Sequence, residues 1–153
     1  MSDEMRRVVD EAAIRRVIDR YCHAVDRGSA DDVAALFHPN GRLVVSLEDN
    51  DGYNGREAVR EWYANYHKHF RARLTHLRHK ISNIQIDLNG DEARVVSYMD
   101  ADLIAKDETT PRQAIGRYDD RFVRDGGEWY FAERAIVVYY ADERLAELLS
   151  ADS

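Results

Sequence analysis

Asp26 and His79 are the residues of this sequence whose types and positions could perform acid–base chemistry together. Arg20-Tyr21-Cys22-His23-Ala24-Val25-Asp26 runs up to a break at Gly28, and its spacing predicts the end of a long helix. At about 100° per residue, Ile14, Val17, Ile18, Tyr21, Cys22 and Val25 share one apolar arc, with Asp26 on its edge. A carboxylate leaning over buried surface needs a partner, because an unpaired buried charge is costly enough to force neutralisation. The alternative is a helix-end aspartate facing water.

His79 lies in Thr75-His76-Leu77-Arg78-His79-Lys80-Ile81-Ser82-Asn83. At the two-residue period of a strand, His79, Ile81 and Asn83 share a face that mixes apolar and hydrogen-bonding groups, as a pocket wall does. An imidazole held there by Asp26 would have its tautomer fixed and its imidazolium stabilised as it forms, which makes a general base. Taken alone, a strand histidine is equally a packing residue.

The remaining histidines carry less chemistry. His23 falls on the polar side of helix one, and His38 precedes Pro39 in a turn. His67 and His69 close the third helix, where cationic side chains suit the helix dipole. Neither His67-x-His69 nor His76-x-x-His79 has a carboxylate at the spacing of known zinc motifs, so no metal is expected. The single cysteine, Cys22, permits no internal disulfide and reads as a packing residue.

These residues must be positioned by a mixed set of elements. Helix one runs from Asp3 to Asp26 or Arg27, with Gly28 closing it through left-handed backbone. Ser29 caps a second helix, Ala30 to Phe37, which Pro39 and Gly41 close. Leu43 to Leu47 is a strand, and Asp49 to Gly55 a polar loop. Val59, Trp62, Tyr63, Tyr66 and Phe70 define a third helix from Arg56 to Arg71. Leu77–Leu88, Ala93–Ala105, Arg112–Arg124 and Glu128–Tyr140 then read as strands, with Asn89-Gly90 and Asp125-Gly126 as hairpin turns. Ala141 to Ser150 reads as a short final helix. The expected fold is α+β: one domain in which a curved antiparallel sheet wraps around helices as a cone, open at a mouth that takes a small apolar molecule.

Composition narrows the partners. The 153 residues carry a net charge of −7 with arginine and glutamate interleaved, so there is no basic stripe for nucleic acid. The start, Met1-Ser2-Asp3-Glu4, lacks the layout of a signal peptide, and no apolar run approaches the roughly 20 residues of a membrane span. A cytoplasmic protein is expected.

Tyr21-x4-Asp26, Gly55 opening helix three, Arg78-His79-x3-Asn83, Gly90-Asp91-x-Ala93, and Trp129 with Arg134 together resemble the SnoaL-like branch of the nuclear transport factor 2-like superfamily, over roughly Ala12 to Tyr140. The motif order is most similar to the dehydratases and dehydrochlorinases of that branch, the scytalone, bile-acid and hexachlorocyclohexane enzymes. The resemblance implies a cofactor-independent lyase with Asp26 and His79 as its acid–base dyad, and His76 as the competing match for the base. It implies Tyr21 and Arg134 as pocket groups stabilising the leaving group, with Asn83, Tyr118 and either Asp100 or Asp102 lining the site. The implied ligand is a small hydrophobic or polycyclic molecule, and the implied assembly a homo-oligomer, trimer or dimer. Isomerisation or polyketide cyclisation by the same pair, or ligand binding without catalysis, are the competing functions.

Overall fold

The structure is a computed structural model that describes residues 1–143 and Leu145. Helix α1 spans Asp3–Arg27, with Ser2 as N-cap accepting the Met5 N–H at 3.1 Å. Gly28 ends it in extended backbone, φ −94°, and not in the left-handed conformation expected of it. What Gly28 supplies is room, since a Cβ there would stand 2.9 Å from Ala24 Cα and 3.0 Å from the Asp32 carboxylate.

Helix α2, Ala30–Ala34, opens with a reciprocal capping box between Ser29 and Asp32. It is shorter than expected, because Phe37 already belongs to strand β1, Phe37–Val45. Phe37 pairs with Phe131 across the sheet and its ring packs at a tilt on Phe131, centroids 5.1 Å apart, burial that outweighs helix continuation. Pro39 and Gly41 do not terminate a helix; they lie in an irregular stretch of β1 between Phe37 and Arg42. The two-residue strand β2, Tyr53–Asn54, pairs with β1 inside what reads as a loop, and precedes helix α3, Arg56–His69.

After a 3₁₀ turn at Arg71–Arg73 come β3 (Leu74–Asn89), β4 (Glu92–Ala105), β5 (Arg112–Asp125) and β6 (Glu128–Ala141). The six strands form one sheet in the order β2-β1-β6-β5-β4-β3. The sheet is antiparallel except where β1 lies parallel to β6, so the expected all-antiparallel sheet is corrected at that one junction. The helix expected over Ala141–Ser150 falls mostly outside the described residues, and Ala141 itself ends β6. No helix among the described residues is long and apolar enough to cross a membrane.

The core sits between the helices and one face of the sheet. Helix α1 contributes Ile14, Ile18, Tyr21 and Val25, and α3 contributes Val59 and Tyr63. Along β4 burial alternates strictly, with Ala93, Val95, Ser97 and Met99 inside and Arg94, Val96 and Tyr98 outside.

The end of α1 is where the fold serves the site. Its last carbonyls lack helical partners, and a carboxylate there opposes the helix dipole. Arg71 caps them, its Nη1 donating to the Val25 carbonyl at 3.0 Å and also to His67 Nε2 at 3.2 Å. Partial burial, and then the Arg71 charge, pull the His67 imidazole down to about 4, against a hydrogen bond at Val25. The folded protein therefore holds His67 neutral where the unfolded chain, titrating near 6.5, binds a proton. Stability from this contact is complete above the unfolded value and is lost as pH falls from about 6.5 towards about 4. His67→Gln should flatten that part of the stability profile, as measured by urea midpoints across the window.

Candidate functional site

Asp26 and His79 meet where α1 ends against β3. The His79 peptide N–H donates to Asp26 Oδ2 at 2.9 Å, and the ring Nδ1 lies 2.5 Å from Oδ1. Both side chains are largely buried, at 10% and 12% exposure, so solvent screens the contact weakly. A carboxylate can only accept, so Nδ1 donates to it, and in the neutral form of the ring Nε2 carries the lone pair. Nε2 has no hydrogen-bond partner among the described residues.

His79 lines a cavity of about 450 Å³ walled by Val45, Phe70, Met99, Leu103 and Ile136, within the range of small-molecule sites. Asp26 lines a different, open cleft of about 1030 Å³, shared with His76, Arg78 and Asp102. Much of that cleft is already paired, Arg78 to Asp102 and Arg112 to Glu108 and Asp142. The smaller cavity, with its predominantly apolar walls and His79 among them, is the better site.

Beneath the cavity lies a second polar layer. Arg134 is fully buried and donates from Nε and Nη2 to the two Asp120 oxygens, each at 2.9 Å. Its guanidinium carbon lies 3.7 Å from the Tyr118 ring centroid and 4.1 Å from that of Tyr21. Burial works against the Arg134 charge, but Asp120 overrides it and the guanidinium stays protonated. Burial also raises the Asp120 carboxyl, with Arg134 pulling it back. The Tyr21 hydroxyl is joined to that of Tyr63. Burial lifts Tyr21, Tyr63, Tyr66 and Tyr118 above the ordinary phenol range, so all four remain protonated donors.

Comparison with known proteins places this architecture. The profile of the SnoaL-like domain matches residues 6–135. The chain belongs to the SnoaL-like family. Its neighbours among solved structures include a protein from Novosphingobium aromaticivorans provisionally named a scytalone dehydratase, 27% identical with TM-score 0.77 over 90% of this chain and 89% of that one. A protein of unknown function from Mycobacterium tuberculosis, solved as a single aspartate-to-asparagine variant, is 21% identical with TM-score 0.82 over 97% and 89%. The hexachlorocyclohexane dehydrochlorinase LinA-type3 from Novosphingobium barchaimii is 16% identical with TM-score 0.77 over 92% and 93%. No curated protein matches the chain.

Several residues of this SnoaL-like domain stand elsewhere than their spacing predicts. Asn83 does not share the His79 face. A bulge between Ser82 and Gln85 inserts a residue, Asn83 takes φ 53°, and its side chain is exposed. Asp100 and Asp102 pair across the sheet with Lys80 and Arg78, on the face opposite His79 and Ala101. Asp102 binds Arg78 and Lys80 there. His76 is exposed, with Nδ1 against its neighbour Thr75. Tyr21 and Arg134 are buried below the cavity and not in its wall. Tyr118 does line it, and its hydroxyl has no partner among the described residues.

Three participants escaped the sequence reading. Asp120 was legible, since period two from Tyr118 puts it on the inner face. Tyr66 lies on the apolar stripe of α3 and reads as core. Glu48 follows β1 in a polar stretch and carries no pattern at all. Because Asp120 neutralises a charge with no access to water, Asp120→Asn should cost about 3–5 kcal/mol in urea unfolding. The double variant with Arg134→Met should recover part of that loss.

Proposed function

We propose that this protein is a cofactor-independent lyase of dehydratase or dehydrohalogenase type acting on a small hydrophobic substrate. The observation that carries the reading is His79, held at ring and peptide by Asp26 and lining an apolar cavity. His79 takes a proton from a carbon of the substrate. The C–H electron pair becomes the new double bond, and hydroxide or halide departs with its own pair. Asp26 keeps the ring oriented and offsets the imidazolium charge. Positioned base catalysis contributes roughly 10²–10⁴-fold.

The leaving group meets a donor already in the cavity wall. Tyr118 is that donor, with Tyr66 beside it, both lining the cavity as neutral phenols. Arg134 acts through Tyr118 as a positioning residue, its cation set against the ring face. The 27% identical neighbour named for dehydration supports elimination over other uses of the pair.

In assays with scytalone and with hexachlorocyclohexane, loss of water or chloride is the expected product signature. An isomer of equal mass would point to isomerase or cyclase chemistry instead. His79→Ala and Asp26→Asn should each lose at least about 10²-fold in turnover while keeping the far-ultraviolet circular dichroism spectrum of wild type. Independently of substrate, ¹⁵N spectra of the imidazoles should show Nδ1 protonated and Nε2 bare in His79, an arrangement lost in Asp26→Asn. Full turnover by His79→Ala would defeat the assignment.

The same reading includes a homo-oligomer in the cytoplasm. Val96, Tyr98 and Tyr139 are exposed, and Tyr98 lies in register with Arg117 and Val137 on the sheet's outer face. Such a patch is the surface a second copy would cover. Sedimentation velocity should show a dimer or trimer, shifted towards monomer by Tyr98→Arg.

A further inference from the structure

The cavity wall holds one carboxylate for which the acid–base pair has no use. Glu48 lines the same cavity as His79. Its Oε1 accepts the Trp62 indole N–H at 2.8 Å, and its Oε2 accepts the Tyr53 hydroxyl at 2.5 Å and the Asn50 amide at 3.1 Å. All three donors are neutral. No cation pairs with Glu48 among the described residues, although it is partly withdrawn from water.

A pin between the β1–β2 loop and α3 would not require this charge. Neutral donors can be met by neutral acceptors, without the cost of desolvating an anion. An ionised carboxylate offers about four acceptor positions, of which the protein fills three. The free one belongs to Oε1. Strand β1, which leads into Glu48, and β3, which carries His79, lie on opposite sides of the sheet order. The two groups therefore address the cavity from opposite walls.

We propose that Glu48 is the specificity-determining residue of this cavity. It anchors a hydrogen-bond donor, a hydroxyl or an ammonium, at the end of an apolar substrate remote from the C–H bond presented to His79. The proposal rests on the cavity being the substrate site, but not on which reaction His79 performs. It selects within the apolar ligands the cavity would take, favouring those that carry such a donor over equally hydrophobic ones that do not.

The test is calorimetric titration of wild type, Glu48→Gln and His79→Ala with 2-naphthol, 2-(aminomethyl)naphthalene and 2-methoxynaphthalene. A hydrogen bond to a partly buried carboxylate should favour the donor-bearing probes about tenfold over the methoxy compound in wild type. Glu48→Gln should erase that preference while leaving 2-methoxynaphthalene binding unchanged. His79→Ala should keep it. A stronger preference for the amine than for the naphthol identifies a cationic ligand end, and the reverse a hydroxyl. Equal binding of all three probes by wild type, or a preference that survives in Glu48→Gln, overturns the role of Glu48 and leaves the acid–base reading standing. No binding of any probe overturns the cavity as the substrate site, and both readings with it.

Discussion

A single carboxylate at the end of α1 accepts two hydrogen bonds from one residue of β3, and the geometry of the site hangs on that contact. Strand β3 is the edge of the sheet, so some of its peptide donors face away from β4 with no strand to receive them. Asp26 takes one of these, the His79 N–H, and with its other oxygen takes the ring. The helix end is thereby tied to the sheet edge and the imidazole is oriented by the same bond set. An aspartate in a last helical turn is unfavourable on dipole grounds, and here the cost is offset by those donors and by Arg71 capping the carbonyls beside it.

Charge is layered through the interior with similar economy. Arg134 and Asp120 neutralise one another in the deepest layer, under rings of Tyr21, Tyr118 and Phe131. Above them the cavity presents two phenols and the His79 ring, with Glu48 as a carboxylate among them. In a low-dielectric space a neutral donor can meet developing charge without first binding a counter-ion, which is the condition for electrostatic stabilisation of a departing anion. Cys22, buried on α1 with its thiol lifted to about 11, stays outside this chemistry.

The edges of the sequence reading failed for identifiable reasons. Phe37 has helical neighbours on one side, and its strand assignment depends on Phe131, a residue nearly a hundred positions away. Asn83 is two positions from Ile81, and a strict alternation carries it inward until a bulge changes the parity. Arg134 reads as a pocket residue because spacing cannot reveal that Asp120 and three aromatic rings enclose it.

Local pattern alone determined the long amphipathic α1, the aromatic stripe of α3, the four-strand meander and its glycine turns, because those signals reside in neighbouring residues. It also marked Asp26 and His79 as groups in need of partners. Tertiary structure decided that they partner each other, that His79 and not His76 faces Asp26, and that Glu48 reaches the same hollow. Those outcomes depend on register, bulges and strand order. Each is settled by contacts between distant segments, whose energies no short window of sequence contains.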